Sequence, residues 1–244
     1  FYWLYRRQVQ DFSEMANIGK ATRNILETRF RMDKLQRDQV QRSRDGSLKY
    51  RLLLDDSKAI ETVLMPHSDH YTVCVSSQVG CGMGCDFCMT GKMGLIRNLE
   101  VSEIVNQVLE AWKDLPEGTS LRNIVFMGMG EPFLNYSNVI KACSIFSNNN
   151  AFNLGAKRIT ISTSGILPKI NLFIQQKHKY KLAISLNASN NNDRNQLIPI
   201  NKKWKIEDIL SSLKQYSFNK YRPIMFEYVL IKGVNDKKEN AIEL

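Results

Sequence analysis

The run Cys74-Val-Ser-Ser-Gln-Val-Gly-Cys81-Gly-Met-Gly-Cys85-Asp-Phe-Cys88 carries three cysteines at the spacing C-x3-C-x2-C, directly after a β-prone segment. Three thiolates on one short loop can each bind a different iron of a 4Fe-4S cubane, which leaves the fourth iron without a protein ligand. Glycine at every second position from 80 to 84 allows the loop to wrap tightly, so that backbone N–H groups approach the cluster sulfides. The loop therefore predicts metal ligands at Cys81, Cys85 and Cys88.

The same cysteines also admit a structural zinc site, for which His67 or His70 is a candidate fourth ligand. Structural zinc sites normally take four ligands, with a second pair some distance along the chain. The sequence has no such second pair, and Cys143 falls in an apolar helical segment that is typical of an inert core thiol. The spacing favours the iron–sulfur cluster, and zinc is the alternative.

Around this loop, apolar β-prone runs alternate with helix-length segments. Strands are predicted at Tyr71–Val75, Ile124–Met127, Ile159–Ser162, Leu182–Leu186 and Ile224–Leu230. Helices are predicted near Val101–Lys113, Ser137–Phe146, Leu167–Gln176, Ile206–Tyr216 and Asp236–Leu244. Repeated βα units predict an α/β fold with a parallel sheet, either open or closed into a barrel, and we prefer a partial or full (β/α) barrel. In a barrel the functional residues lie at the C-terminal ends of the strands.

The first 66 residues have a different pattern. Apolar side chains at helical spacing, with a break near Asn17–Gly19, predict two short helices in residues 1–30. The runs Tyr50–Leu54 and Ile60–Leu64 flank a polar turn and predict a hairpin. We therefore predict a small α+β accessory domain at 1–66 and a (β/α) core at 67–244.

The chain has 34 Lys+Arg against 24 Asp+Glu, a formal net charge of +10. Excess positive charge favours a polyanionic partner such as nucleic acid, although a charged run is also typical of a solvated helix face. No stretch reaches the roughly 20 apolar residues that span a bilayer, and the N-terminus has no signal-peptide pattern. Four cysteines crowded between positions 74 and 88 suit a reducing compartment. We expect a soluble intracellular protein with no membrane partner.

The cysteine loop resembles the signature of the radical S-adenosylmethionine (SAM) superfamily, whose members share a partial or full barrel. Further segments resemble the dual-specificity rRNA/tRNA adenine-C2 methyltransferases in the same order along the chain: Trp3–Arg6, Asp11–Phe12, Gly91–Leu99, Met127–Pro132, Ile161–Gly165, Ile184–Ala188 and Pro199–Lys203. The resemblance implies a 4Fe-4S cluster and SAM as cofactors, and methylation of an adenosine at C2 in 23S rRNA and in tRNA. It also implies an RNA-binding role for residues 1–66, an electron donor such as flavodoxin or ferredoxin, and a cytoplasmic or organellar location.

The resemblance assigns SAM binding to residues at the ends of three predicted strands: Gly130, Glu131, Ser162, Ser185, Leu186 and Asn187. Glu131 fits this role because a carboxylate can accept hydrogen bonds from the methionyl ammonium group. Without the resemblance, Ser162 and Ser185 are typical strand-end hydroxyls that hydrogen-bond the local backbone.

In the family, a methyl group passes from one SAM to a cysteine near the C-terminus before radical transfer to the base. The resemblance implies that Cys74 is the second thiol, which forms a disulfide with the methyl-carrying cysteine, and that Glu61 accepts the C2 proton. Without the resemblance, Cys74 is typical of a buried strand cysteine and Glu61 of a solvent-facing acid on a strand. The methyl-carrying cysteine and a further SAM-binding asparagine have no counterpart before Leu244, so the chain is expected to be a fragment that ends before its last barrel strand.

Three further functions remain open from the sequence. A C8-specific rRNA adenine methyltransferase of the antibiotic-resistance type would use the same chemistry on the neighbouring carbon. A non-catalytic RNA-binding Fe-S fragment and a zinc-binding RNA module are the other two.

Overall fold

The structure is a computed structural model that describes residues 1–214 and 223–244. These residues contain ten strands: β1 (Gln36–Arg42), β2 (Leu48–Leu53), β3 (Ala59–Pro66), β4 (Tyr71–Cys74), β5 (Gln78–Cys81), β6 (Gly94–Asn98), β7 (Leu121–Phe126), β8 (Ile159–Thr163), β9 (Lys181–Ser185) and β10 (Met225–Glu227). They also contain eight α-helices: α1 (Lys20–Arg29), α2 (Met89–Lys92), α3 (Val101–Trp112), α4 (Tyr136–Phe146), α5 (Leu167–Gln175), α6 (Asn191–Leu197), α7 (Ile206–Lys214) and α8 (Lys238–Glu243). No helix in the described part of the chain is long and apolar enough to cross a bilayer.

The main sheet has eight strands in the order β1-β2-β3-β4-β7-β8-β9-β10. Strands β1 to β4 pair antiparallel, whereas β4, β7, β8, β9 and β10 pair parallel. Helices α3, α4 and α5 connect the parallel strands, as the alternating pattern predicts. The predicted α/β fold, a partial (β/α) barrel preceded by helices and a hairpin, is confirmed.

The two faces of the parallel strands differ in chemistry. On one face, Ile124, Ile161 and Ile184 are fully buried in a single hydrophobic core that includes residues of α3, α4 and α5. Successive strand side chains point to opposite faces, so Cys74, Ser162, Ser185 and Glu227 share the other face. We call this second face the inner face, and the polar residues discussed below lie on it.

The predicted hairpin pairs β2 with β3, and β3 then pairs with β4. Val63 lies opposite Cys74 in this register. Because Glu61 precedes Val63 by two residues, Glu61 lies on the same inner face as Cys74. The apolar side chains of β2 and β3 join the same core as the parallel strands, including Tyr50, Leu52 and Ile60. The boundary at residue 66 stays a prediction, and strands from both sides of it share one sheet.

Several elements differ from the sequence prediction. Strand β1 was missed because its seven residues, Gln-Arg-Asp-Gln-Val-Gln-Arg, include one apolar side chain; it forms by pairing with β2, and Arg37 contacts Glu110 and Asp114. The first predicted helix is a π-helical turn at Tyr2–Arg6, followed by a 3₁₀ turn at Phe12–Glu14. The hairpin of β5 and β6 was missed as well. The predicted strand Ile224–Leu230 is reduced to β10, and Tyr216, the predicted end of α7, lies outside the described residues.

Gln107 on α3 links the accessory strands to the cysteine loop. It is fully buried and accepts hydrogen bonds from the Thr62 hydroxyl at 2.8 Å and the Ser76 N–H at 2.7 Å. It also donates to the Ser76 carbonyl at 3.0 Å. The backbone N–H and the carbonyl of Ser76, between β4 and β5, therefore both form hydrogen bonds with the Gln107 side chain.

We expect Gln107→Leu to lower the free energy of unfolding by about 3 kcal/mol, because it leaves buried groups of Ser76 and Thr62 without partners. Urea denaturation followed by circular dichroism measures the change. Gln175→Leu, at an exposed position on α5, is the matched control and should change stability by no more than about 0.5 kcal/mol. Equal losses in the two variants would contradict this account of Gln107.

Candidate active site

The cysteine loop begins at the end of a short hairpin. Cys81 is the last residue of β5 and lies opposite Gly94 of β6, and Cys88 immediately precedes α2. Gly80 has a φ of +73°, and a Cβ atom there would overlap the Gly94 carbonyl oxygen. Only glycine fits this position, and the tight hairpin in turn fixes where Cys81 enters the loop.

The three predicted ligand thiols lie close enough to influence one another's ionisation. Burial, with smaller contributions from Cys81, Cys88 and Glu131, raises the pKa of Cys85 to about 12, and Arg194 opposes the rise. Burial also raises the pKa of Cys81, with smaller contributions from Glu131 and Cys88. Cys81 and Cys85 therefore resist ionisation without a cation, and bound iron would supply the positive charge that stabilises the thiolates.

This donor set fits the predicted cluster. A 4Fe-4S cubane takes one thiolate on each of three irons, so its ligands need not converge on a single point. Within residues 1–214 and 223–244, no three His, Cys, Asp or Glu side chains are arranged to hold one metal ion. His67 and His70, the alternative zinc ligands, stack on each other with ring centroids 4.5 Å apart, and their nitrogens contact Thr72, Asp69 and Asn123.

Gln78 joins the cysteine hairpin to the loop that follows β7. Its side-chain oxygen accepts a hydrogen bond from the Glu131 N–H at 2.8 Å, and its amide nitrogen donates to Asn98 at 2.7 Å. Gly130 has a φ of +97°, and a Cβ there would lie 2.5 Å from the Gln78 Cβ. Gly130 therefore permits the close approach that places Glu131 beside the cysteine loop.

The Glu131 carboxylate is buried at the end of β7. One oxygen accepts from the Ser164 N–H at 2.7 Å and the Ser164 hydroxyl at 2.8 Å, and the other accepts from the Phe133 N–H at 3.0 Å. Burial raises the pKa of Glu131, and these hydrogen bonds oppose the rise. Thr163 makes a further side-chain hydrogen bond to this carboxylate, which also opposes the rise.

Ser162 and Ser185, predicted to bind SAM, contact each other and a residue that the sequence did not reveal. Ser162 donates to the Glu227 carboxylate at 2.6 Å and Ser185 donates to the same oxygen at 2.7 Å. The two serine oxygens are 3.2 Å apart. Glu227 ends β10, so the strand-end rule could have found it if the end of that strand had been predicted correctly.

The two remaining predicted SAM-binding residues, Leu186 and Asn187, follow β9. Their N–H groups donate to the Glu227 carbonyl at 3.0 and 3.1 Å. Asn187 adopts a φ of +56°, and its side-chain oxygen accepts from the Val229 N–H at 2.9 Å. These contacts fix the ends of β9 and β10 together.

Cys74 and Glu61 share the inner face but have different surroundings. The pKa of Cys74 is raised to about 11, mainly by burial and to a smaller extent by Glu227, while a hydrogen bond with the Met127 backbone opposes the rise. Glu61 has a side chain 48% exposed and pairs with Lys49 at 3.0 Å.

Arg194 on α6 was also missed. It is fully buried and donates to the carbonyls of Ser164 at 2.6 Å, Ser185 at 3.1 Å and Leu186 at 2.9 Å, and to Asn201 at 2.8 Å. No local pattern signals a buried arginine, because its burial depends on α6 packing against the ends of two strands, one of which supplies the Ser164 carbonyl from 30 residues away. Asn201 lies in the segment Pro199–Lys203, which the resemblance had singled out without a role.

All five cysteines are free thiols in the structure. Cys143 is fully buried on α4, as its apolar surroundings predict. The disulfide that the resemblance implies for Cys74 has no support here.

Comparison with known proteins places this site in a family. The family model described as Radical SAM superfamily matches residues 75–244, and that of the Ribosomal RNA large subunit methyltransferase N-terminal domain matches residues 1–32. The "Probable dual-specificity RNA methyltransferase RlmN" of Dictyoglomus turgidum is 47% identical over 248 residues, which cover 100% of this chain and 70% of that protein. The "Dual-specificity RNA methyltransferase RlmN" of Geobacter sulfurreducens is 42% identical, and the match covers 100% of this chain and 66% of that protein.

A solved structure is similar over the whole chain. The crystal structure of a radical SAM methyltransferase from Sphaerobacter thermophilus matches with a TM-score of 0.92 at 42% identity, covering 100% of this chain and 72% of that one. The chain thus spans about two thirds to seven tenths of the length of these relatives.

The raised thiol pKa values predict slow alkylation of the metal-free protein. With pKa values of about 11 for Cys74 and about 12 for Cys85, at most roughly one thiol in a thousand is ionised near pH 8. Because the thiolate is the nucleophile, iodoacetamide should modify both far more slowly than in unfolded protein, and the rates should rise about tenfold per pH unit up to about pH 10. Peptide mass spectrometry measures the rates. Equal rates in native and guanidinium-unfolded protein would contradict the buried environment.

Proposed function

The chain belongs to the radical SAM superfamily and, within it, to the RlmN family of dual-specificity RNA methyltransferases, and we propose that it methylates C2 of an adenosine in 23S rRNA and in tRNA. One observation carries the proposal. Cys81, Cys85 and Cys88 lie on one loop beside Glu131, at the carboxyl-terminal edge of a parallel sheet. This is the edge at which a (β/α) barrel places its chemistry.

The residues of this edge have separable tasks in the proposal. Cys81, Cys85 and Cys88 would hold the 4Fe-4S cluster, which supplies the electron for reductive cleavage of SAM when it is bound. Glu131, a buried carboxylate beside the cysteine loop, would bind the methionyl ammonium group. Gly130 would allow the ligand to approach the backbone beside it. Leu186 and Asn187 would form the wall at the end of β9.

Cys74 and Glu61 would act after the methyl group has reached the base. We assign Cys74 as the thiol that releases the protein from the RNA and Glu61 as the acceptor of the C2 proton. Their shared inner face supports this assignment, since one base approaching that face can meet both side chains. The half-exposed Glu61 carboxylate is accessible to a substrate, whereas Cys74 is more enclosed.

The proposed partners follow from charge and exposure. A net charge of +10 favours RNA, and residues 1–32 match an N-terminal domain named for an rRNA methyltransferase. Phe87, Met89 and Met93 are exposed on and beside the cysteine loop. Exposed apolar side chains next to a redox centre favour docking of a small electron-transfer protein, and we propose a flavodoxin or ferredoxin.

Replacing one ligand tests the cluster. We expect Cys85→Ala to bind at least about tenfold less iron and sulfide after anaerobic reconstitution, because a cubane loses a third of its protein ligands. Formation of 5′-deoxyadenosine from SAM under dithionite, measured by liquid chromatography and mass spectrometry, should fall to background. Cys143→Ala is the control and should retain both properties, because Cys143 lies in the core of α4. Stoichiometric zinc without iron or sulfide in the wild type would refute the proposal.

The methylated carbon tests the substrate assignment. We expect 2-methyladenosine in 23S rRNA and tRNA of a bacterial host that lacks its own enzyme, once this protein is expressed there with any segments that extend it. Nucleoside mass spectrometry against synthetic standards identifies the isomer. 8-Methyladenosine would instead assign the C8 reaction.

A further inference from the structure

Most of the excess positive charge comes from one stretch of the sequence. The 61 residues between Glu131 and Asp193 contain no aspartate or glutamate, although a chain with 24 acidic residues in 244 would ordinarily place about six in that length. The stretch contains seven basic residues: Lys141, Lys157, Arg158, Lys169, Lys177, Lys179 and Lys181. It therefore supplies seven of the ten net positive charges of the chain.

The fold brings five of these seven residues to the amino-terminal edge of the parallel sheet, opposite the candidate active site. The 3₁₀ turn Ala156–Arg158 leads into β8 and contacts β9. The segment 177–181 leads into β9, where Lys181 pairs with Thr160 of β8. Since β8 has five residues at about 3.3 Å each, about 15 Å separates this edge from the carboxyl ends of the same strands.

The two remaining basic residues lie between the two edges of the sheet. Helix α5 runs from the carboxyl end of β8 to the amino end of β9, with Lys169 in its first turn and Lys177 just past its end. The Lys169 Nζ lies 5.4 Å from the centre of the Tyr136 ring on α4, and Lys141 is exposed on α4 itself. The seven basic residues therefore form a band along the α4 and α5 side of the sheet, which we call the basic stripe.

Alternation along the segment 177–181 turns its lysines outward. The His178 ring stacks on Tyr180 at 5.7 Å between centroids and lies 5.2 Å from the Phe173 ring, and Tyr180 is buried. Lys177 and Lys179 are exposed, and neither forms a salt bridge with any residue in 1–214 or 223–244. The two rings therefore anchor a segment whose lysine charges are not neutralised by the protein.

Lys177 adopts a backbone conformation that disfavours a lysine. Its φ is +53°, at the position after α5 where glycine is the preferred residue. Its N–H donates to the Ile174 carbonyl at 3.0 Å and so helps to end the helix. A left-handed backbone is unfavourable for any residue with a Cβ atom. The lysine thus adds charge to the basic stripe at the expense of local stability.

The arrangement suits a polyanion better than a single small anion. Alternate residues of an extended segment are about 7 Å apart, so the ammonium groups of Lys177 and Lys179 can each contact a different phosphate. Lysine contacts with the phosphates of a nucleic acid raise affinity without reading the sequence of bases. Such contacts fit a protein whose proposed substrates are two different RNAs.

We propose that the basic stripe binds the phosphate backbone of the substrate RNA, away from the adenosine that is methylated. The proposal rests on the proposed function, since it takes rRNA and tRNA as the ligands. It adds a binding surface on α4, α5 and the amino ends of β8 and β9, none of which contributes to the cysteine loop. RNA that extends beyond the target base can follow the stripe from the carboxyl edge of the sheet to its amino edge.

The salt dependence of RNA binding tests the proposal without turnover. We expect Lys177→Gln/Lys179→Gln to bind full-length tRNA about tenfold more weakly at about 0.1 M salt, and to lower the slope of log affinity against log salt by about 1.5 to 2. A stem-loop that carries the target adenosine and is too short to reach the amino edge should bind this variant and the wild type equally. Fluorescence anisotropy on anaerobically reconstituted protein measures both RNAs.

A matched variant controls for the loss of two charges. Lys113 pairs with Glu110 at 2.5 Å, and Lys205 lies beside Glu207, so both lysines have a carboxylate neighbour and lie outside the basic stripe. Lys113→Gln/Lys205→Gln should keep tRNA affinity within about twofold of the wild type, because exposed charges more than about 10 Å away are largely screened.

Lys177→Gly separates the charge from the stability of the fold. Glycine relieves the left-handed backbone, so the thermal unfolding midpoint should rise. The same variant should lower the salt slope for tRNA by about one, because one phosphate contact is lost. Weaker binding caused by a damaged fold would instead come with a lower midpoint.

The proposal and the proposed function can fail separately. If Lys177→Gln/Lys179→Gln binds tRNA with the affinity and salt slope of the wild type, or loses no more than Lys113→Gln/Lys205→Gln does, the proposal is overturned. Equal losses for tRNA and the short stem-loop would also overturn it. If the wild type binds tRNA through the stripe but produces no 2-methyladenosine, the proposed function fails and the RNA-binding surface remains.

Discussion

The carboxyl ends of five parallel strands meet at one edge of the sheet, and most of the candidate site depends on this constraint. Parallel pairing of β4, β7, β8, β9 and β10 brings together side chains that are up to 153 residues apart along the chain, from Cys74 to Glu227. The outer face binds the strands to the helices through a continuous apolar core. The inner face carries polar groups at the strand ends, among them Ser162, Ser185 and Glu227.

At this edge, Ser164 forms hydrogen bonds to two buried charged groups, Glu131 and Arg194. Ser164 donates its N–H and hydroxyl to Glu131, and its carbonyl accepts from Arg194. Ser164 thus connects the buried Glu131 carboxylate to the buried Arg194 guanidinium, which have no direct contact in the described part of the chain. Burial lowers the pKa of Arg194 to about 10, and Cys85 opposes this, so the group keeps its charge at neutral pH. Its positive charge in turn opposes the rise in the pKa of Cys85.

Features that depend on residues close together in the sequence were predicted from the sequence. The cysteine loop, the βα alternation and the β2–β3 hairpin each have a signature within a few residues, and the structure contains all three. Glu227 has no such signature, because its serine partners lie 42 and 65 residues away, and Arg194 bonds a carbonyl 30 residues away. Strand β1 has none because it carries one apolar side chain, although its partner β2 follows it directly. Gln78 lay inside a segment already singled out, yet its contact with Glu131 spans 53 residues. The sequence thus predicted which strand ends matter, whereas only the assembled sheet shows which side chains meet there.

The accessory strands explain why an acid outside the parallel strands lies on the same face as Cys74. Antiparallel pairing of β3 with β4 sets Val63 opposite Cys74. Because side chains two residues apart on a strand share a face, Glu61 lies on the inner face as well. A slip of one residue in that register would turn Glu61 to the core and bring Thr62, now buried against Gln107, to the inner face. The Gln107–Thr62 hydrogen bond opposes such a slip, because it pairs a polar side chain of β3 with a buried partner on the outer face. The outer face of the sheet therefore determines the chemistry available on the inner one.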